Sequence, residues 1–207
     1  MNENGTKIKK AIVDIFETLV IALAISIVIY LTIAIPNQVD GVSMEPNFKH
    51  NEFLLTNKTI QWLGQTSFGQ NFNYDYKRGD VIIFHNGESD LIKRIIAVGG
   101  DTIRIEDDSI FVNDKKVDEK YIPITIRTEA SDSSNAFLVE GETITVPEGS
   151  YFVMGDNREN SKDSRLADVG FVDRENIRGK VFFRYWPLNK FGIIKRGEFT
   201  EIEIQTT

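Results

Sequence analysis

Residues 18–35, TLVIALAISIVIYLTIAI, form a run without a charged residue, a glycine or a proline. As an α-helix such a run spans about 27 Å at ~1.5 Å per residue. With Ile15 and Phe16 added it matches the roughly 30 Å hydrocarbon core of a bilayer. No polar face recurs at helical spacing, which argues against a buried core helix. A cleaved leader has a shorter apolar region and a small-residue cleavage site, whereas this run ends in Ala34-Ile35-Pro36-Asn37-Gln38. The expectation is a permanent transmembrane anchor over 15–35, after a tail of residues 1–14 and before an exported domain, 36–207. Lys7, Lys9 and Lys10 precede the run, and no further Lys or Arg occurs until Lys49. The excess of positive charge on that side places the N-terminus in the cytoplasm and the domain outside, at the cell membrane, after a single crossing.

The remaining composition narrows the chemistry. A net charge of -7 makes nucleic acid a poor partner. The absence of cysteine excludes disulfides, thiolate metal sites and a thiol nucleophile. His50 and His85, the two histidines, are too few for a His-rich metal site, and neither a metal nor a cofactor is expected.

Past Pro36 the pattern becomes that of a mostly-β domain. Short stretches rich in Val, Ile, Phe and Thr predict strands at 80–84, 93–98, 102–105, 109–112, 143–146, 151–154, 180–186 and 198–204. Gly79, Gly99-Gly100, Asn113-Asp114, Glu148-Gly149 and Gly179 punctuate them. Residues 109–117 read as a hairpin turning at Asn113-Asp114. The charged stretch 107–149 is expected to be a β excursion inserted into a barrel or sandwich. Residues 61–76 carry Trp62, Phe68, Phe72, Tyr74 and Tyr76 among Gln, Asn and Gly. They read either as a loop with inward-packed aromatics or, with slight preference, as an interfacial loop, since Trp and Tyr favour the headgroup level.

Four segments stand out as carriers of chemistry: Asp40-Gly41-Val42-Ser43-Met44-Glu45-Pro46, residues 78–84 (RGDVIIF), residues 93–101 (KRIIAVGGD) and residues 154–165 (MGDNRENSKDSR). Singly, each has a plain structural reading: a turn at Ser43, a solvated strand Lys93, a glycine turn, a polar loop held by its own hydrogen bonds. In this order and spacing, behind a membrane run, they resemble type I signal peptidases, the bacterial leader peptidase family. The resemblance covers nearly the whole chain after its tail and is closest to the Gram-positive form with one anchor.

The resemblance implies a signal-peptidase-like β fold and a serine endopeptidase that removes signal peptides from exported preproteins, cutting after small residues such as Ala-x-Ala. It puts the nucleophile on Ser43 and the general base on Lys93, with Ser161 hydrogen-bonding and orienting the lysine. Asp163 and Arg165 match a bracing ion pair, Arg94 also supports the site, and Arg78 and Asp80 match scaffold positions. Met44 would pack beside the nucleophile, and the Ser43 N–H would face the oxyanion. The chemistry agrees: a serine hydroxyl needs a base beside it, and an apolar strand can strip water from an amine and lower its pKa. Leu91, Ile92, Ile95, Ile96, Ala97 and Val98 flank Lys93.

The chain departs from the family at several positions. Gly41 stands where some members place an oxyanion hydroxyl. Asn47-Phe48 replaces Thr-Leu, and Ala97-Val98-Gly99-Gly100 replaces Gly-x-Pro-Gly. Two other classes stay open: a paralogue that binds preproteins without cutting them, and a membrane-tethered β-domain with a structural role. A self-cleaving Ser–Lys repressor is a nearer rival, disfavoured by the anchor. Neither the oligomeric state nor the identity of the preproteins is legible.

Overall fold

The computed structural model describes residues 3–72 and 74–202. Helix α1, Glu3–Thr32, comes first, and its Lys7–Tyr30 portion is long and apolar enough to cross a membrane. None of that portion is covered by the rest of the chain. The helix starts well before the apolar run, so Lys7, Lys9 and Lys10 ride on its first turns. It also stops before the run does, because Ala34 and Ile35 already belong to strand β1, Ala34–Gln38. Pro36 lacks an N–H to donate and is tolerated there because β1 is the edge of its sheet.

Everything after α1 is mostly β, as the sequence predicts. The first sheet has eight strands. Beside β1 lies β2, Phe53–Asn57, followed in space by β11, Ile177–Trp186; β3, Val81–His85; β4, Asp90–Val98; β9, Ser150–Met154; and β10, Val172–Asp173. Short β12, Gly192–Ile193, pairs with β11. The second sheet has five strands in the order β13, Phe199–Ile202; β7, Lys115–Glu119; β6, Ser109–Val112; β5, Thr102–Glu106; and β8, Thr143–Thr145. The excursion expected over 107–149 is thus part of a sheet that also draws on β5 before it and on the C-terminal β13.

Local chemistry explains the turns. Asn113 and Asp114 take positive φ between β6 and β7, and Asp107 and Asp108 do the same between β5 and β6. Short polar residues tolerate this conformation, and two in succession suit a tight hairpin turn. Gly179 meets a closer limit, since a Cβ there would lie 2.3 Å from the Asn57 carbonyl oxygen where β11 crosses β2.

Strands β4 and β9 are the structural centre. Residues 93–97 of β4 and all of β9 are buried, consistent with strands covered on both faces. The β4–β9 register shifts between Ile95 and Ala97. Ile95 packs with Ile82, Phe84 and Val153, while Ile96 and Ala97 join Ile103, Phe152 and Met154 in a separate cluster. A third cluster of Val39, Met44, Phe48, Leu54, Ile83 and Ile92 lies under the segment after β1. Each such buried side chain contributes about 1.5–3 kcal/mol of hydrophobic stabilisation.

In the aromatic segment 61–76 some rings pack inward and others stay exposed. It contains two short helices, α2 (Thr59–Leu63) and α3 (Ser67–Asn71). Tyr76 turns inward, edge-on to Tyr151 at 5.8 Å, whereas Trp62, Phe68 and Phe72 face outward.

Candidate active site

Ser43 sits on the loop that leaves β1. Two large side chains peg this loop to the domain: Met44 and Phe48 are 1% and 2% exposed. Phe48 N–H donates to the Met44 carbonyl at 2.9 Å, and Glu45 N–H to the Val42 carbonyl at 3.0 Å. Gly41 opens the loop at φ +86° with empty space where a Cβ would be, so its glycine serves conformation and not clearance. Gly41 N–H donates to His50 Nδ1 at 3.2 Å.

The fourth motif holds the loop from the other side. Asn157 N–H donates to the Ser43 carbonyl at 3.0 Å, and Asn157 Nδ2 to the Val42 carbonyl at 3.2 Å. Gly155 is required by close approach: a Cβ there would lie 2.2 Å from Ser161 Oγ and 2.4 Å from the Ser43 carbonyl oxygen. Ser161 is therefore packed beside the loop that carries Ser43.

Lys93 projects from β4, opposite Ile82 of β3 in the register. It is 2% exposed, and its Nζ lies 2.8 Å from Ser43 Oγ and 2.9 Å from the Ile92 carbonyl oxygen. Burial lowers its pKa from 10.5 to about 8, against the opposing pull of Asp163 and Asp156. As an ammonium, Nζ donates to Ser43 Oγ; as a neutral amine it accepts the Ser43 hydroxyl proton instead. The hydrogen bond from Ser161 to Lys93 that the resemblance implies is not made. Ser161 Oγ is buried without a partner.

Two buried ion pairs brace the motif. Arg165 grips Asp163 with Nε at 2.9 Å and Nη2 at 3.0 Å, while Asp163 accepts from Gly155 N–H at 3.0 Å. Arg94 grips Asp156 with Nε at 2.8 Å and Nη2 at 2.7 Å, stacks on Tyr121 and donates to the Gly79 carbonyl. Asn47 joins this second pair, donating to Asp156 at 2.8 Å and to the Tyr121 carbonyl at 2.7 Å. Arg158, paired with Glu119 and bonded to Thr128, extends the network. Of the scaffold positions, Asp80 is fully buried between Lys180 and Arg196, and Arg78 pairs with Asp101.

Sequence reasoning places Asp156, Asn157 and Arg158 in the fourth motif without a role and Asn47 only as a departure from the family, and it does not name Glu119 or Thr128. Their pairings join residues distant in the chain, and no local spacing signals those pairings. Neither histidine hydrogen-bonds to Ser43: His50 lies against Asp40 and His85 against Asp90. Among the described residues, no group of three His, Asp or Glu side chains is placed to hold a metal ion.

Beside Ser43 and Lys93 opens a cavity of about 110 Å³, whose lining joins apolar Val39, Leu54, Ile83, Leu91 and Ile92 to polar Asn37, Gln38, Asp40 and Asp90. Its size is that of a small side chain. The arrangement is a hydroxyl, a buried amine of lowered pKa and a small pocket in one place. Chemically it is suited to acyl transfer at a small residue.

Residues 12–186 match the family described as "Signal peptidase, peptidase S26". Signal peptidase I S of Bacillus subtilis is 33% identical over 189 residues, covering 91% of this chain and 96% of that protein. Signal peptidase IB of Staphylococcus aureus is 34% identical over 191 residues, covering 88% of this chain and 94% of that protein. Among solved structures, a signal peptidase I from Enterococcus faecalis is 31% identical, with a TM-score of 0.41, over 51% of this chain and 96% of that one.

Proposed function

The chain belongs to the signal peptidase family, peptidase S26, a family of serine hydrolases that remove signal peptides from preproteins, and from that premise we propose how its own residues do so. Ser43 is the nucleophile and Lys93 the general base. The observation that carries this assignment is the 2.8 Å separation of Nζ and Oγ around an amine whose pKa is lowered to about 8. At pH 7 about a tenth of such amines are neutral, against about one in 3,000 at the ordinary lysine pKa.

The reaction runs in two halves. Neutral Lys93 takes the Ser43 proton as Oγ attacks the carbonyl carbon of the last signal-peptide residue. The oxyanion that forms is met by the Ser43 N–H. Gly41 has no hydroxyl to add, so this site relies on backbone donors. Collapse of the tetrahedral intermediate breaks the peptide bond, and Lys93 hands its proton to the amine leaving as the new N-terminus of the mature protein. A water then gives a proton to Lys93 and attacks the ester. Ser43 regains its proton and the signal peptide leaves as a carboxylic acid.

The narrow cavity of Val39, Leu54, Ile83 and Ile92 favours small residues before the cut, in keeping with an Ala-x-Ala preference. Helix α1 acts as the membrane anchor, with its lysine-bearing end in the cytoplasm and the catalytic domain outside. A signal peptide's apolar region lies in the same bilayer, which raises the effective concentration of its cleavage site at the enzyme. The test is a cleavage assay of the full chain in detergent on a preprotein whose signal ends in Ala-x-Ala. Cleavage after the last Ala by wild type and none by Ser43→Ala is expected. A folded wild type that cuts no preprotein would support a binding role without catalysis.

A further inference from the structure

The second sheet holds neither Ser43 nor Lys93, yet the chain that leaves it touches the nucleophile loop. Strand β7 ends at Glu119, and the two residues after it are firmly held. Lys120 N–H donates to the Glu198 carbonyl at 3.2 Å. The Tyr121 ring stands edge-on to Phe199 at 5.5 Å, and the Arg94 guanidinium stacks on its face at 4.0 Å. Gly197 lets the next segment close over that ring, since a Cβ there would lie 2.6 Å from it. The Tyr121 carbonyl oxygen is therefore an acceptor fixed in place.

Asn47 Nδ2 donates to this oxygen at 2.7 Å and to Asp156 Oδ2 at 2.8 Å, on the carboxylate that Arg94 grips. An amide nitrogen carries two protons, and both are used here. The main chain of Asn47 is held as well. Its carbonyl accepts from Arg184 Nη2 at 2.7 Å, and that guanidinium lies over the Phe48 ring and against buried Glu52. These three partners lie 74, 109 and 137 residues away in sequence. Two of the three bonds have a charged partner, which makes them the stronger kind.

Asn47 lies four positions after Ser43, and the chain between them is wound into a single turn. The bonds from Phe48 N–H to the Met44 carbonyl and from Glu45 N–H to the Val42 carbonyl close it, and buried Met44 and Phe48 stiffen it. A turn of this kind moves as a unit, so a displacement at Asn47 is passed on to Ser43. Asn157 holds the Ser43 end of the turn, and Asn47 holds the far end.

We infer that Asn47 is a positioning residue, through which the second sheet and the Arg94–Asp156 pair fix the turn that sets Ser43 Oγ against Lys93 Nζ. This rests on the reading of Ser43 as the nucleophile. Threonine, which Asn47 replaces in the family pattern, has one hydroxyl proton and can donate to one of the two acceptors. Asparagine reaches both, and so ties the turn to the second sheet and to the ion pair at once.

The test is steady-state cleavage by the full chain in detergent of a preprotein whose signal ends in Ala-x-Ala. Asn47→Leu, Asn47→Ala, Asn47→Thr and Ser43→Ala are compared with wild type, and circular dichroism gives the folded fraction of each. Leucine keeps the bulk of asparagine without its donors, and alanine removes both bulk and donors. Each should lower kcat per folded molecule about 10- to 100-fold, since a misplacement of about 1 Å costs on the order of 100-fold. KM should stay as in wild type, because no substrate contact is removed. Asn47→Thr, which keeps one donor, should recover most of the lost kcat. Wild-type kcat in the leucine or alanine variant would overturn the inference. So would a loss confined to KM or to the folded fraction, or a threonine variant no better than leucine. Wild-type cleavage by Ser43→Ala would instead remove the nucleophile assignment on which the inference rests.

Discussion

Asn157 N–H donates to the carbonyl of Ser43 at 3.0 Å, so the polar motif near the end of the chain holds the nucleophile loop by its backbone. The contact is close because Gly155, two residues earlier, has no side chain to separate the two segments. The motif holds the nucleophile loop by its backbone, through both the N–H and the side chain of Asn157.

Gly155→Ala tests this arrangement. The new methyl would meet Ser161 Oγ at 2.2 Å and the Ser43 carbonyl oxygen at 2.4 Å. The second neighbour is backbone and cannot turn away, so the Ser43 loop must shift. A misplacement of about 1 Å costs on the order of 100-fold in rate. The expected result is a kcat lowered by that order with an unchanged far-UV circular dichroism spectrum. Wild-type kcat would show that the loop has slack which the close packing does not suggest.

The lowered pKa of Lys93 predicts the pH dependence. The base acts when neutral, so kcat/KM should rise with pH through an apparent pKa of about 8 and level off above it. Lys93→Met should abolish cleavage at every pH. A profile already flat from pH 6 would mean that another group takes the proton.

The same burial makes Lys93 a liability to the fold. Its folded pKa, about 8, lies below the ordinary 10.5, so between those values the unfolded chain holds more protons and stability rises with pH. Below pH 8 the penalty is present in full, at most about 3 kcal/mol. Lys93→Met should therefore raise the unfolding midpoint at pH 7, and the gain should shrink towards pH 10. Thermal unfolding of both chains in one detergent measures this; an equal gain at the two pH values would contradict the burial account.

How much of this was legible beforehand depended on the range of the signal. The continuous apolar stretch around Ile95–Val98 announced a buried strand, and Asn113-Asp114 announced a hairpin turn, because both signals are local. Strand β1 was concealed in the apolar run: Ala34 and Ile35 suit a helix as well as a strand, and what makes them strand is pairing with Asn57 and Thr56. Ser43 and Lys93 lie 50 residues apart in sequence, and no spacing rule joins them; the set of motifs did so through resemblance. Asn47 and Asp156 are 109 residues apart, and Asn47 looked only like a departure from a family pattern. The expected bond from Ser161 to Lys93 depends on side-chain placement, which a motif does not encode.

Asp156→Ala should be among the most damaging substitutions away from the reacting atoms. Asp156 is fully buried, and its loss leaves the Arg94 guanidinium, 3% exposed, without its carboxylate. Breaking one side of a buried pair costs about 3–5 kcal/mol. Replacing both partners by apolar residues, Arg94→Met with Asp156→Leu, should cost less than the single change. Chemical denaturation of the two variants decides it: a double variant no more stable than Asp156→Ala would argue that the pair contributes net stability beyond neutralising Arg94.

Ser161→Ala separates stability from catalysis. Ser161 Oγ is buried and makes no hydrogen bond, and an unsatisfied buried hydroxyl costs about 1–3 kcal/mol. Its removal should leave the unfolding midpoint unchanged or higher. Lys93 Nζ, with three protons when charged, is bonded to Ser43 Oγ and to the Ile92 carbonyl. The family resemblance assigns Ser161 to orienting the amine, and its Oγ stands beside the Ser43 loop over Gly155. If Ser161 orients the amine in this way, the variant should lose roughly 10-fold or more in kcat and its pH–rate profile should shift, as the removal of a supporting partner does elsewhere. A stable variant with wild-type kcat and profile would reduce Ser161 to a packing residue and leave Lys93 oriented by the Ile92 carbonyl and Ser43 Oγ.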